Sequence, residues 1–531
     1  MSKRWLILLA GLPALGALAL LWRVRDTPLA LGPFARIDAL SAFFLFALLG
    51  GAALALAARP ANLAPGWPRR AAALGALALA YSTTLTPAIA CAYLIVALLT
   101  LDSRRSPAID TARSRAGQAA RIIRRAALAA PGLLAASCLL LGYGALELRG
   151  AARYDDRIAG MALDSFAFWF VLLAAAIACS PLFHPANSDE SRAIEQSAGL
   201  SHPSARGRFG EIGIVEIGLL RCAWLYPLAR LYSLGPWNSG WSYATLLLGG
   251  ALALWCASSG LAQPGLVRRN AYLQSIYLAL ALAGLGLSTS AGVAAACFGI
   301  LAYLALNIGA GDVGLGAEDE SDLSPAIAHL PSATLLPWLL SSAIPLTAPF
   351  VAAWMLIGAS VAGGVALLAG VTWLVALLHG LAVALWSGSA PVQARRPLLA
   401  AGAASLLLGV GAPLIVRALI QPAVAQLQGG LTPYGDVNIW PWVGLAASDS
   451  AHTQATTLPS IAIALLMLVL SAIVYVVARL RQLRGAGSQR QAAEARMPAA
   501  TLLRSIRDEV PWLGGLLGSK PRSQRQPGDG E

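Results

Sequence analysis

The chain of 531 residues is 57% hydrophobic and only 12% charged, with a mean hydropathy of +0.67, whereas soluble domains run at about 45–50% apolar and about 25% charged. That excludes an ordinary water-soluble enzyme. The formal charge of +13 does not imply a nucleic-acid partner, because the arginines stand in short clusters between long apolar runs, where the excess of basic loops on one side of a bilayer accounts for them.

At roughly 20 residues per spanning helix plus loops, the length gives room for about a dozen to fifteen spans. The run at 5–22 follows Lys3 and Arg4 and ends in Leu-Trp-Arg without a small-x-small cleavage site, so it reads as a retained span rather than a signal peptide. Further spans are predicted near 39–58, 71–84, 86–101, 123–142, 164–183, 211–233, 241–263, 270–288, 290–309, 335–349, 351–386 (long enough for one span or two), 398–420 and 459–478. The total is about fourteen. Unbroken apolarity over such lengths predicts an all-α polytopic protein, because barrel strands alternate and are about half as long. The Gly-rich stretch 363–371 follows no strand and reads as a helix-packing surface. The loop at 421–458, with Trp440 and Trp442, fits the outer surface.

With fourteen spans, the clusters at Arg59, Arg69 and Arg70, at Arg104 to Arg121, at Arg268 and Arg269, and at Arg395 and Arg396 share one side with the tail. That side is expected to be cytoplasmic and to hold both termini. The predicted organisation is a transmembrane domain over 1–478 and a tail over 479–531. The tail is Arg/Gln-rich to 496, then offers a short amphipathic helix at 497–515 and a disordered end.

Two residue counts bear on chemistry. The only lysines are Lys3 and Lys520, so no apolar segment contains one. The six cysteines fall one at a time in apolar stretches without CxxC spacing, which predicts small packing residues and no zinc, cluster or disulfide. No cofactor or metal is expected. From Leu323 to Ala394 there is no Asp, Glu, Lys or Arg.

Several segments, in order, resemble one family. They are LGPFARIDALSAFFLF (31–46, with its acid at Asp38), SPLFHPANSD (180–189), IGLLRCAWLYPLARL (217–231), LAQPGLVRRNAYLQSIYLALALAGLGL (261–287), LAYLALNIGAG (301–311) and AIPLTAPFVAAW (343–354). Together they are similar to motifs of the antiporter-like membrane subunits of proton-translocating NADH:quinone oxidoreductase, Mrp antiporters and membrane-bound hydrogenases. The resemblance covers about residues 30 to 390. It implies a fold of inverted helix-bundle repeats, non-catalytic membership of an oxidoreductase complex, and other membrane subunits of a respiratory-type complex as partners.

The departures matter equally. The family carries protons on a membrane-embedded Glu and a chain of Lys or His, groups that gain and lose charge in low dielectric. Here no acid occurs from Ala39 to Leu101. The family's lysine positions fall near Ile177 and on Val267, Tyr303 and Ala353, and a histidine position falls on Gly299. Arginine does not replace lysine as a relay, because it does not release its proton in a working cycle. The expected function is therefore a divergent antiporter-like subunit with its proton relay largely lost. A stand-alone ion or solute transporter is the alternative, and a membrane glycosyltransferase, faintly suggested by Asp26 and Asp38, a more distant one.

The polar residues left in apolar segments are the candidate ion-path or structural positions: Glu216, Arg221, Arg268, His379 and Asp38. Glu216 is either a half-channel carboxylate or an interfacial acid near Glu211, the latter favoured. His379 titrates near neutrality when unperturbed, but a single histidine in an apolar helix is more often packed and hydrogen-bonded. Asp38 and Asp164 open apolar runs and read as helix caps, and His184 as a helix-end stabiliser. Arg221 and Arg268 could pair with an acid of another helix, although snorkelling to the surface is the default.

Overall fold

The computed structural model describes residues 3–32, 35–58, 67–83, 88–89, 91–96, 165–180, 218–219, 221–234, 239–262, 266–308, 343–344, 346–387, 396–425, 427, 445–447 and 456–458. The described chain is helical apart from two short antiparallel ribbons. One pairs β1 (Leu29–Ala30) with β2 (Arg36–Ile37), the other β3 (Leu445–Ala447) with β4 (Thr456–Leu458). The helices are α1 (Lys3–Arg23), α2 (Ala39–Ala58), α3 (Trp67–Ser82), α4 (Ser165–Cys179), α5 (Leu225–Leu234), α6 (Ser239–Ala262), α7 (Leu266–Gly286), α8 (Ser290–Ile308), α9 (Ala348–Ala362), α10 (Ala366–Ser387) and α11 (Arg396–Val410). A final broken segment follows: α12 (Ala412–Ile415), a π-turn (Val416–Ile420) and α13 (Gln421–Ala425).

Among the described residues, three helices are long and apolar enough to cross a membrane, within Gly240–Ala262, Ser290–Ile308 and Ala366–Val383. The bent pair Ala400–Val410 and Ala412–Ala425 makes a fourth if taken as one span. The protein is thus a multi-pass integral membrane protein. The spans expected at 123–142 and 459–478 and the tail 479–531 lie outside the described residues, as do most of the run at 335–349 and the arginine clusters at 104–121 and 395.

Helix α8 is the central element: 94% of its apolar window is buried inside the protein, against 50% for α6 and α10. Its small residues, six of them alanine between Ala291 and Ala305, let α2, α7, α9 and α11 pack around it. Backbones approach closely between α6 and α7. A Cβ at Gly249 would meet the backbone of Ala279 and Ala283, and one at Gly286 would meet that of Leu246. Helix pairs in lipid rely on such close packing, since apolar burial distinguishes little between lipid and protein.

The run at 351–386, long enough for one span or two, forms two helices, α9 and α10. Three expectations are corrected. Gly363-Gly364 is the turn between these helices rather than a packing surface. Gly364 has φ 72°, a conformation that costs other residues but not glycine. The run at 335–349 is not helical near its end, because residues 343, 344, 346 and 347 lie outside any helix and α9 starts only after Thr347, with Pro349 in its first turn. Finally, the loop expected from 421 begins with the helical turns of α13. The chain bends by 72° at Gly411, where Pro413 denies the Gly409 carbonyl its usual i+4 donor.

Candidate functional site

The site is organised by one broken helix. Residues 221–223 are helical, Trp224 is a turn, and α5 resumes at Leu225. Pro227 has no N–H to give the carbonyl four residues back, that of Ala223. Tyr93 supplies the missing donor: its hydroxyl donates to the Ala223 oxygen at 2.6 Å. The chain on either side of this break carries one buried arginine each.

Arg221, before the break, is completely buried. Helix α4 ends at Cys179, and its last carbonyls lack intrahelical partners. The Arg221 guanidinium takes them: Nε donates to Ala178 O at 2.7 Å, and one terminal nitrogen donates to Cys179 O at 3.1 Å and Ser180 O at 3.0 Å. The same nitrogen donates to Ser275 Oγ on α7 at 2.7 Å, and the other reaches the Tyr303 hydroxyl on α8 at 3.4 Å. The guanidinium also lies 5.5 Å from the centre of the Tyr303 ring. Among the described residues no acid pairs with it. Its positive charge is offset by the negative end of the α4 dipole, equivalent to about half an electron charge.

Arg230, after the break, is buried against a carboxylate. Its two terminal nitrogens donate to the two Asp38 oxygens at 2.5 Å each, a bidentate pair. Ser41 Oγ accepts from Arg230 at 2.5 Å, and the Tyr226 hydroxyl accepts from its Nε at 2.9 Å. The Ser41 N–H donates to Asp38 Oδ1 at 2.8 Å, so Asp38 also caps α2. Tyr81 and Phe44 pack on the Tyr226 ring, with centroids 4.6 and 5.2 Å away. The result is a closed ring of Asp38, Ser41, Tyr226 and Arg230, screened by aromatic side chains.

A third polar contact joins α7 to α10. The Tyr277 hydroxyl and His379 Nδ1 are 2.5 Å apart, and both residues are buried. His379 is thus packed and hydrogen-bonded.

Of the residues singled out from the sequence, Asp38, Arg221 and His379 are brought into three separate contacts rather than one site. Arg221 neither snorkels nor pairs with an acid among the described residues: the α4 terminus ends beside the middle of α7, and capping it there holds the guanidinium inside the bundle. Arg268 stands in the first turn of α7, with its side chain outside the described part. Glu216, His184 and Asp164 lie outside the described residues. Arg230, Ser275 and Tyr226 carry the geometry and were not anticipated. The signal for Arg230 was present, since an arginine in an apolar run needs an anion or a route to water. Tyr303, the residue expected at a family lysine position, contacts Arg221; of the other such positions, Ala353 is buried among apolar neighbours and Ile177 is partly buried. Cys179, Cys222, Cys256 and Cys297 are buried packing residues, but Cys91 is exposed, which departs from the expectation. Among the described residues no group of three His, Cys, Asp or Glu side chains could hold a metal ion.

No protein-family model matches the sequence, and no curated protein matches it. The fold, however, matches solved membrane complexes. A chain of the Mrp complex from Dietzia sp. DQ12-45-1b aligns with a TM-score of 0.56 at 18% identity, over 80% of this chain and 92% of that one. A chain of respiratory complex I from Thermus thermophilus aligns with a TM-score of 0.58 at 16% identity, over 81% of this chain and 95% of that one. A chain of the membrane-bound sulfane sulfur reductase, an archaeal respiratory membrane complex, aligns with a TM-score of 0.54 at 15% identity, over 98% of this chain and 92% of that one. The all-helical membrane fold expected from the sequence segments is thus similar to that of these chains.

Proposed function

We propose that this chain is a divergent antiporter-like membrane subunit of an Mrp-, complex I- or sulfane sulfur reductase-type assembly, retained for architecture or coupling, with its proton relay largely lost. The observation that carries the reading is the near-complete cover of chains from three such complexes by a sequence with no lysine between Lys3 and Lys520. Arg221 holds its proton throughout any working cycle, and its hydrogen-bond partners are backbone carbonyls and the hydroxyls of Ser275 and Tyr303, which do not titrate near neutrality. A cation fixed in this way braces helices and passes no proton along.

On this reading the protein has about fourteen spans, both termini cytoplasmic, and a tail over 479–531 available to partner subunits. It performs no redox chemistry itself; neighbouring subunits do. Glu216, Arg268 and His379 are then residual polar positions of the ancestral path. The test is purification of the full chain in mild detergent, followed by identification of bound proteins. Co-purification of membrane subunits belonging to an oxidoreductase or Mrp-type assembly is expected. Isolation of the chain alone at full yield would count against it.

The alternative, an independent ion or solute transporter, draws on the 72° bend between Ala400–Val410 and Ala412–Ala425, because transporters build midplane sites at broken helices. The polar side chains along that segment are Ser405, Arg417 and Gln421. Uptake of an ion or solute by liposomes containing the chain alone would favour it.

A further inference from the structure

We infer that the end of α4, with Ser275 and Tyr303, is a monovalent-cation site that the chain fills with its own Arg221. Five oxygens converge on the guanidinium: the carbonyls of Ala178, Cys179 and Ser180, Ser275 Oγ and Tyr303 Oη. Carbonyl oxygens at a helix C-terminus together with hydroxyl oxygens are the donor set with which broken membrane helices coordinate small cations, the negative end of the dipole supplying the field. Among the described residues no carboxylate contributes, so the cage is matched to a single positive charge rather than a divalent one.

The guanidinium is fully buried and makes its contacts to three separate elements, the α4 terminus, α7 and α8. It serves as a tethered ion: covalently attached at Arg221, it occupies the cage permanently and closes it to free ions. The site differs in kind from the Asp38 and Arg230 pair, where a carboxylate carries the opposite charge. The inference concerns this cage alone and holds whether or not the chain assembles with partners.

The test uses the full-length Arg221→Ala protein in detergent. Truncation leaves the oxygens facing a space the size of the lost head group. Thermal unfolding is followed in guanidinium, sodium, potassium and choline chlorides at matched millimolar ionic strength. Arg221→Ala is expected to lower Tm by several degrees, and guanidinium, sodium or potassium to restore about half or more of the loss, rising with the logarithm of ion concentration as binding to the folded state requires. Choline, too large for the cage, restores none, and the unsubstituted protein gains nothing from any of the four salts. Recovery by guanidinium alone identifies a planar cage, and recovery by sodium or potassium a spherical one. Equal response to all four salts, or none, overturns the inference. Should Arg221→Ala yield no folded protein, Arg221→Lys and Arg221→Met decide it. The cage requires the charged lysine variant to unfold at the higher Tm, and an equal or higher Tm for the methionine variant overturns it.

Discussion

Two arginines on one broken helix segment are buried by opposite means. Arg221 and Arg230 stand on either side of the break at Trp224. Arg230 faces a carboxylate and shares it with a serine and a tyrosine. Arg221 faces backbone carbonyls and two hydroxyls. The first arrangement is a charge pair whose members depend on each other; the second is a charge placed on a dipole, in which the partners are neutral. The difference teaches that, where no acid among the described residues pairs with it, a buried arginine can be held by the end of a helix and by hydroxyls.

Breaking each centre separates the two modes. Asp38→Ala is expected to have the largest effect, because it strands the Arg230 charge in the interior, at about 3–5 kcal/mol, and removes the α2 cap, at about 1 kcal/mol. Thermal unfolding in detergent reads the loss, and Asp38→Asn, which keeps a capping oxygen, should recover only the smaller part. Arg221→Met comes next, since it leaves orphaned neutral carbonyls but no stranded charge, at about 1–3 kcal/mol. A greater loss for Arg221→Met than for Asp38→Ala would reverse the ranking and refute the distinction.

The break between the two centres sharpens the comparison. Tyr93→Phe removes the donor to the Ala223 carbonyl and should cost about 1–2 kcal/mol. In a Pro227→Ala background the restored backbone N–H can serve the same carbonyl, so the cost of Tyr93→Phe should shrink. An unchanged cost in that double-mutant cycle would show that Tyr93 acts elsewhere. The smallest effect is expected from Tyr277→Phe, which deprives His379 of one neutral hydrogen bond, at about 1 kcal/mol.

Much of the architecture was legible in the sequence because lipid imposes a simple rule: a long apolar run becomes a helix. The run at 39–58 is α2 to the residue, and 290–309 overshoots α8 by one. Legibility failed where glycine and proline serve either packing or chain reversal. Gly363-Gly364 forms a turn and Gly249 a helix contact, yet both stand in similar apolar surroundings, and only the backbone angle separates them. Of the site, Asp38 was read as a cap, and it is one, but its partner lies 192 residues away. No spacing encodes that pairing. Arg221 was harder still, because its main partners are backbone carbonyls, which have no residue letter. The position of the α4 terminus decides its role, and that position is a tertiary fact.

The most direct test of the proposed loss of the proton relay is ion movement by the purified full-length protein reconstituted alone in sealed liposomes, with internal pH and sodium followed by fluorescent indicators under an imposed membrane potential. The expected result is no protein-dependent flux of protons or sodium above that of empty liposomes. Flux that depends on the protein and is abolished by Arg221→Met or His379→Phe would contradict it and restore these residues to a working path.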